Sequence, residues 1–456
     1  MRREFMPNFY LFDVGSTYTK GCIVDTDSEE ILAQASDFTT SSTDISIGIE
    51  KVKHKMMQGL ESIHIDKTYV CSSAKGGLKM IAIGLVPDLT LKAARLACYS
   101  AGAKVIQSYS FELNQKELDE IESSQCDILL LSGGTDGGNT SSVRHNANQL
   151  IKLRSRFPII YAGNKSCQDE IRNILESNGF ECILCSNVMP SYGVLEVDEC
   201  KAKIRELFLK SIVKAKGLSK LSAVVDEIVL PTPSSVFEAL KLLSKGTYNE
   251  SGLGDLMAID IGGATTDVYS MNEKLVINEE FGYKGLQEPI EKRSVEGDLG
   301  LRFSASHVYE LKEEIHNPIF DQYIQDIKHN PHLTSNLDLD TQLASACVEI
   351  ATERHVGRLE TSYTPMGINY YQTGKDCREV KQCIGIGGPI IYNPNAKRIL
   401  ENCLMKSNHK EVLLPIQCEY YIDKDYCISC LGLLAKQYPD VVLRILKKKL
   451  EKIDHV

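Results

Sequence analysis

The chain opens with short apolar stretches separated by turns, a pattern typical of strands in an antiparallel meander. The predicted strands lie at residues 9–12, 21–25 and 31–35. Apolar residues then recur at helical spacing from Ile45 to Leu60, after a helix start at Thr43 and Asp44. A further apolar strand is predicted at 68–73. The beginning of the chain is therefore predicted to form a β-β-β-α-β unit.

Between about residues 76 and 215, apolar strands alternate with helical segments. The predicted strands lie at 104–106, 127–131, 158–161 and 182–185. The predicted helices cover 113–121, a segment ending at Leu150, 166–177 and 201–214. This alternation favours a parallel, doubly wound sheet. We predict a separate α/β domain at 76–215, inserted into the first lobe.

The opening pattern resumes after residue 215 and then starts a second time. The predicted elements are a strand at 227–230, a helix at 234–243, strands at 256–261, 267–271, 274–280 and 382–386, a helix at 395–403, a strand at 419–422 and a helix at 429–437. The predicted domains are a first lobe at 1–75 and 216–247, the inserted domain, and a second lobe at 248–456.

Composition and charge narrow the functional classes. The 456 residues include 51 Lys and Arg against 61 Asp and Glu, so the net charge is 51 − 61 = −10. An acidic chain is a poor match for coating nucleic acid, which needs clustered cations. No apolar run reaches the roughly 18 residues of a membrane span. The 15 cysteines, irregularly spaced, indicate a reducing compartment. We expect a cytoplasmic protein without nucleic-acid or membrane partners.

The first motif with chemistry lies at the turn between the first two predicted strands. Gly15 lets the backbone approach a ligand, and the hydroxyls of Ser16 and Thr17 can surround phosphate oxygens. Asp13 at the strand end can hold a hydrated Mg²⁺, and Lys20 on the next strand can neutralise phosphate charge. Taken alone, the segment is more often a plain hairpin turn, because short motifs have a high false-positive rate.

A second acidic, glycine-bearing turn occupies the matching position in the second lobe. Asp260 and Asp267 flank it and are candidates for metal and water contacts, which makes Asp13, Asp260 and Asp267 the predicted catalytic residues and Asp13 and Asp260 the predicted metal ligands. The candidate phosphate-binding residues of this turn are Gly262, Gly263, Ala264 and Thr265. Two such turns at matching positions argue against coincidence.

A third glycine-rich segment ends the predicted strand at 382–386. Gly385, Gly387 and Gly388 would let a base and ribose lie against the backbone. The segment is not a Rossmann fingerprint, since the third glycine and the later acidic residue are not in place.

These segments, in this order, resemble the phosphate-one, phosphate-two and adenosine segments of the ATPase superfamily of actin, hexokinase and the heat-shock chaperones. The resemblance implies two actin/ribonuclease-H-like lobes with a nucleotide cleft, and ATP and Mg²⁺ as cofactors. The helices predicted at 234–243 and 429–437 resemble the connecting helices that act as a hinge in that superfamily.

A closer resemblance spans most of the chain. Its motifs are Asp13-Val-Gly-Ser-Thr, Thr39-Thr40 with Thr43-Asp44, Ser72-Ser73-Ala-Lys-Gly-Gly77, Gly84-Leu-Val-Pro87, Gly133-Gly-Thr-Asp-Gly-Gly-Asn139 and Val295-Glu-Gly-Asp-Leu-Gly300. They resemble the MutL-type proteins associated with glutamate mutase, which are unrelated to the mismatch-repair protein of that name. The resemblance implies an ATP-dependent reactivating chaperone whose partners are subunits of an adenosylcobalamin-dependent aminomutase. The oligomeric state is left open, including a homo-oligomer.

Several features keep alternative interpretations. Residues 133–139 have two interpretations. They form either a loop that binds an anion or makes a contact surface, or a long strand-to-helix turn. Glu296 and Asp298 either position a water molecule or a metal ion, or simply lie in a solvated loop. The solvated loop is the favoured interpretation. The Cys182/Cys185 and Cys427/Cys430 pairs are predicted to be buried rather than metal-binding. For the whole protein, the alternatives are a small-molecule kinase of the same superfamily and a non-catalytic scaffold that senses nucleotide.

Overall fold

A computed structural model describes residues 7–15, 18–39, 45–60, 63–73, 78–214, 226–273, 282–331, 334–365 and 367–453. The chain divides into two compact units, Met1–Ser235 and Val236–Val456. The finer domain boundaries, at residues 75, 215 and 247, stay predictions. Over the described ranges, no helix combines the length and apolar character needed to cross a membrane.

The first unit starts with the predicted β-β-β-α-β order and continues with alternating strands and helices. Its strands are β1 (Asn8–Val14), β2 (Tyr18–Asp25), β3 (Glu30–Phe38), β4 (Lys67–Ser72), β5 (Lys79–Gly84), β6 (Lys104–Ser110), β7 (Ile128–Leu131), β8 (Ile159–Tyr161), β9 (Cys182–Leu184) and β10 (Glu227–Pro231). Its helices are α1 (Ile45–Met57), α2 (Lys92–Ser100), α3 (Gln115–Ser123), α4 (Ser141–Leu150), α5 (Gln168–Glu176) and α6 (Asp198–Lys214).

The first sheet of this unit has the order β3-β2-β1-β4-β10. Strands β1, β2 and β3 are antiparallel neighbours, whereas β4 runs parallel to β1 and β10 runs parallel to β4. The central strand β1 has neighbours on both sides, and Leu11, Phe12 and Val14 are fully buried. Its continuous apolar run follows from this central position.

A second sheet, ordered β6-β5-β7-β8-β9, is parallel throughout and confirms the α/β sheet predicted for this segment. Apolar residues of α3, α4 and α5 pack on the face of the sheet that carries Leu129 and Leu131. The interior strand β5 of this sheet is absent from the sequence prediction. The apolar run of β5 comes directly after Gly76 and Gly77, which indicate a loop.

The second unit begins inside α7 (Thr232–Lys245), which spans the division between the units. Its strands are β11 (Leu256–Ile261), β12 (Thr266–Met271), β13 (Gly282–Lys284), β14 (Glu291–Glu296), β15 (Arg358–Thr364), β16 (Gly367–Thr373), β17 (Gln382–Ile386), β18 (Glu419–Ile422) and β19 (Glu451–Lys452). Its further helices are α8 (Ala305–Leu311), α9 (Pro318–His329), α10 (Leu337–His355), α11 (Gly388–Ile391), α12 (Ala396–Leu400), α13 (Ile428–Leu431) and α14 (Pro439–Lys449).

The main sheet of the second unit repeats the topology of the first. Its order is β14-β12-β11-β17-β18, extended by β19. Strands β14, β12 and β11 are antiparallel neighbours, β17 runs parallel to β11, and β18 runs parallel to β17. Two sheets with the same order and directions, plus an inserted parallel sheet, confirm the predicted fold class of two actin/ribonuclease-H-like lobes with an inserted α/β domain.

Two predicted elements of the second unit are not found in the structure as predicted: one is untested and the other differs in extent. The predicted strand at 274–280 lies outside the described residues, and the sheet takes β14 (Glu291–Glu296) as the neighbour of β12. The predicted helix at 429–437 is wrong in its extent. Regular helix ends at Leu431, before Gly432, and the chain continues in turns to Pro439 at the first turn of α14. Thr43 and Asp44 lie outside the described residues as well.

His355, at the end of α10, is fully buried between β12 and β14. Its ring nitrogens lie 2.8 Å from Ser270 Oγ and 2.7 Å from Ser294 Oγ. Burial, reinforced by the positive charges of Lys292 and Lys375, holds the pKa of His355 well below its ordinary value. The histidine is therefore neutral in the folded chain near pH 7.

This depressed pKa makes the unfolded chain bind the extra proton as the pH falls below about 6.5. We expect His355 to make the free energy of unfolding fall with decreasing pH by up to about 1.4 kcal/mol per pH unit. Urea denaturation of the wild type and of His355→Gln between pH 7 and pH 5 measures this effect. The variant should be less stable at pH 7 but lose less stability over the range, and equal slopes would contradict the assignment.

Candidate functional site

The first candidate turn connects β1 and β2. Asp13 and Lys20 are directly opposite each other in the antiparallel register. The Gly15 N–H donates to the Tyr18 carbonyl at 3.0 Å, and a Cβ on Gly15 would lie 2.8 Å from that oxygen. A side chain at this position would therefore disturb the turn. Ser16 and Thr17, the predicted hydroxyl ligands, lie outside the described residues.

Asp13 is held where β1 approaches the start of α7. The carboxylate is nearly buried, at 6% exposure, and its Oδ1 accepts a hydrogen bond of 2.6 Å from the Thr232 hydroxyl. Thr232 follows β10, which reaches β1 through β4. This contact orients one carboxylate oxygen across 219 residues of sequence. Sequence reasoning missed Thr232, although its position between two prolines marked it as a strand end.

The second candidate turn connects β11 and β12 in the second unit. Asp260 and Asp267 are opposite each other in the register, so both side chains lie on the same face of the sheet. The Gly262 N–H closes the turn by donating to the Thr265 carbonyl at 2.8 Å. The structure thus brings the two predicted acidic residues together beside the predicted glycines.

The segment at 301–304 holds the carbonyl side of this turn. The Leu301 N–H donates to the Gly262 carbonyl at 3.2 Å, and the amides of Arg302 and Phe303 both donate to the Gly263 carbonyl at 2.8 Å. The Ser304 hydroxyl donates to the Ala264 carbonyl at 2.7 Å.

The amide side of the turn is different. Within the described part of the chain, no acceptor is assigned to the N–H groups of Gly263, Ala264 and Thr265. The free N–H groups of such a short loop can donate hydrogen bonds to an anion.

The third glycine segment meets the second turn directly. Ile386 of β17 is the parallel partner of Asp260 in the register. Gly387 has φ = +87°, and a Cβ there would lie 2.2 Å from the Ile261 carbonyl oxygen and 2.7 Å from Asp260 Oδ1. Only glycine fits this position. Gly387 therefore allows the Asp260 carboxylate to lie against the start of α11.

Two tyrosines border this glycine segment and were missed by sequence reasoning. A Cβ on Gly388 would lie 2.9 Å from the Tyr426 hydroxyl, and the Tyr426 ring centroid is 5.8 Å from that of Tyr392. Burial raises the pKa of Tyr426, whereas the Tyr392 ring is 76% exposed. An exposed aromatic ring four residues after Gly388 is a surface on which a planar base can stack.

Asp267 forms a buried ion pair with Arg293. Its Oδ2 accepts from Arg293 Nη2 at 3.0 Å and from the Tyr269 hydroxyl at 3.4 Å. Burial lowers the pKa of Arg293, but the opposing effects of Asp267 and Tyr269 outweigh it and raise the pKa overall. The buried Oδ1 of Asp267 has no hydrogen-bond partner among the described residues. This arrangement gives Asp267 a structural partner, and its catalytic role stays a prediction.

Glu296 and Asp298 form an ion cluster behind the second turn. Arg354 Nη1 lies 2.8 Å from Glu296 Oε2 and 3.0 Å from Asp298 Oδ2, and His307 Nε2 lies 3.1 Å from Asp298. Burial raises the pKa of Asp298, but its hydrogen bonds and the charge of Arg354 together outweigh burial, so the net shift is downward. Both carboxylates are thus occupied by cations of the protein.

The glycine loop at 133–139 is braced at the carboxyl end of β7. The buried Asn164 accepts from the Gly137 N–H at 3.0 Å and donates to the carbonyls of Gly138 and Asn139. Asn187 donates to the Gly134 carbonyl at 3.0 Å. These contacts give the loop an internal structural explanation and leave its two interpretations open.

The cysteines are all free thiols, and the prediction of burial for the two Cys-x-x-Cys pairs is confirmed. Burial raises the pKa of Cys182 to about 11 and places that of Cys427 well above its ordinary value. Over the described residues, no cluster of His, Cys, Asp and Glu has the arrangement of a metal site.

The repeated sheet and its strand-end turns define a two-lobed protein of the actin/ribonuclease-H-like class. Within that class, the chain belongs to the MutL protein family, whose model matches residues 9–450. It is 42% identical over 462 residues to Protein MutL of Clostridium tetanomorphum, covering 98% of this chain and 100% of that protein.

Among solved structures, the chain is similar to a nucleotide-free acetone carboxylase, with 12% identity, a TM-score of 0.41, and coverage of 94% of this chain and 70% of the other. It is also similar to the activator of 2-hydroxyisocaproyl-CoA dehydratase from Clostridium difficile with bound ADPNP, with 10% identity, a TM-score of 0.33, and coverage of 98% and 100%. Likeness at this level carries no conclusion about function.

Proposed function

We propose that this MutL-family protein binds and hydrolyses ATP and reactivates an adenosylcobalamin-dependent aminomutase of the glutamate mutase type, in the cytoplasm. The observation that supports the nucleotide part is the turn at 262–265. The carbonyls of Gly262, Gly263 and Ala264 are occupied by residues 301–304, whereas the described residues offer no acceptor to the amides of Gly263, Ala264 and Thr265. The aminomutase part depends on the motif resemblance.

The residues at hand fit a metal-bound triphosphate. When bound, Mg²⁺·ATP supplies the phosphoanhydride bond and a hydrated cation. The amides of Gly263 and Ala264 would donate to phosphate oxygens, and Asp260 would hold water of the cation. In the first unit, Asp13 has one oxygen fixed by Thr232, and Lys20 across the strand pair offers positive charge. Each of these two turns is proposed to contact phosphate oxygens of a bound nucleotide.

Tyr392 is proposed to stack on the adenine base. We expect Tyr392→Ala to raise the dissociation constant for ATP about tenfold, since stacking of a base on an aromatic ring contributes roughly 1–3 kcal/mol. Isothermal titration calorimetry with ATP and Mg²⁺ measures the change. Tyr248→Ala is the matched control, because Tyr248 is a fully exposed tyrosine of the same unit. An unchanged constant in Tyr392→Ala would remove this residue from the site.

The function is tested by measuring phosphate release and mutase activity together. The full chain is mixed with the subunits of an inactivated aminomutase, free adenosylcobalamin and Mg²⁺·ATP. We expect phosphate release to increase with the mutase present and mutase activity to return only when hydrolysable ATP is supplied. ATP binding without phosphate release would favour the scaffold, and a phosphorylated metabolite would favour the kinase. Either result would overturn the proposal.

A further inference from the structure

The hairpin of β15 and β16 carries an exposed apolar face. Tyr363 lies opposite Ile368, and Thr361 lies opposite Tyr370, in the antiparallel register. Because side chains of a strand alternate between faces, these four residues share one face. Tyr363 is 81% exposed, Ile368 52% and Tyr370 44%. A cluster of large exposed apolar side chains of this kind is typical of an interaction surface.

The same hairpin ends in a strand edge with unpaired backbone groups. β15 is the edge strand of the small sheet β13-β16-β15. The Leu359 N–H donates outward to the Glu411 carbonyl at 2.8 Å, so the backbone groups of Thr361 and Tyr363 also point away from β16. Within the ranges that the structure covers, these outward groups of Thr361 and Tyr363 have no hydrogen-bond partner. Such an edge is a template for another strand.

We propose that β15 pairs antiparallel with β15 of a second copy of this chain, around a two-fold axis at Ser362. In this register, Thr361 of each copy is the hydrogen-bonded partner of Tyr363 of the other copy. The pairing satisfies the N–H and C=O groups of both residues in both copies. It also joins the two exposed apolar faces into one continuous surface.

The strand suits a second copy because it is complementary to itself. The central pair is Ser362 with Ser362 of the second copy, which brings two uncharged side chains together. The two copies of Glu360, the charged residue of this edge, are separated by four residues along the strands, roughly 13 Å. The segment at 411–412 already pairs with Arg358 and Leu359, so the pairing cannot extend toward the start of β15. These limits leave the register centred on Ser362.

Sedimentation velocity of the full chain without nucleotide tests the pairing. We expect the wild type to be a dimer at concentrations of about 100 µM. Ser362→Asp places two carboxylates directly opposite each other, and Thr361→Pro removes an outward N–H without removing a bond to β16. Each should weaken the dimer at least about fivefold. Asn369→Asp is the matched control, since it adds the same charge to β16, beside Ser362 but one strand further from the axis, and should leave the dimer intact.

Mixing variants gives a register-specific result. Ser362→Asp and Ser362→Lys should each dimerise more weakly than the wild type when alone and should form a mixed dimer more strongly than either when combined. A monomeric wild type would overturn the proposal, whether or not a mutase subunit binds to this strand edge. A dimer that persists in both Ser362→Asp and Thr361→Pro would also overturn it. Asp260→Asn should dimerise like the wild type, so failure of this proposal is distinguishable from failure of the nucleotide proposal.

Discussion

Replacing Asp260 by asparagine is expected to lower the rate of ATP hydrolysis about 10²- to 10³-fold. The carboxylate lies at the end of β11, between the turn with free amides and Gly387. Asparagine keeps the volume of the side chain and removes the negative charge that would hold the hydrated cation. The fold should therefore be retained while the charge balance at the phosphates is lost. Steady-state phosphate release at saturating Mg²⁺·ATP measures the effect.

The control for this variant is Asp255→Asn. Asp255 directly precedes β11, at the end opposite Asp260, and it accepts a hydrogen bond from the Glu273 N–H at 3.3 Å. Its substitution removes the same charge without touching the proposed site, and the hydrolysis rate should stay within about twofold of the wild type. Equal rates for Asp260→Asn and the wild type, with ATP hydrolysis present, would contradict the role given to Asp260.

The second large effect is expected on stability. Arg293→Met should lower the free energy of unfolding by about 3–5 kcal/mol, because it leaves the Asp267 carboxylate buried without its cation. Asp267 is 8% exposed and Arg293 is 4% exposed, so water cannot replace the lost partner. Urea denaturation followed by circular dichroism measures the change, a suitable method since the chain has no tryptophan.

The double variant Arg293→Met with Asp267→Leu separates loss of the pair from loss of packing. Replacing both members by apolar residues removes the uncompensated charge, so the double variant should be more stable than Arg293→Met alone. If the double variant is the less stable of the two, the ion pair is not the source of the effect. Hydrolysis by the double variant then reports whether Asp267 also takes part in catalysis.

Sequence patterns predicted those strands of the sheets whose apolar runs end at clear turns. β11, β17 and β18 have the predicted bounds, because each is a short buried run followed by glycine or a polar turn. β14 could not be found in this way. It carries Lys292 and Arg293 in its interior, and these buried charges are paired with Glu288, just before the strand, and with Asp267 of β12. The hydrophobic periodicity of a segment gives no information about such ion-pair partners.

For the candidate site, the sequence identified the strand-end turns but not what surrounds them. The contact of Gly387 with Asp260 follows from adjacent parallel strands that end at the same edge, and it could be expected once both motifs were assigned. The contacts of Thr232 and Tyr426 with the site could not be expected, because a lone threonine or tyrosine far along the chain belongs to no recognisable motif. Residues 16 and 17 lie outside the described ranges, and mutation of these residues tests their predicted role.

The chain passes from the first sheet to the inserted parallel sheet after β4, and it returns to the first sheet at β10. Strands β4 and β10 are parallel neighbours. A parallel pair needs only a crossover of a dozen or so residues. Everything beyond that length in this connection is dispensable for joining the two strands. Exchange of this segment for an unrelated domain during evolution would therefore leave the strand order of the first sheet unchanged, and a chimera carrying a foreign domain here should still form that sheet.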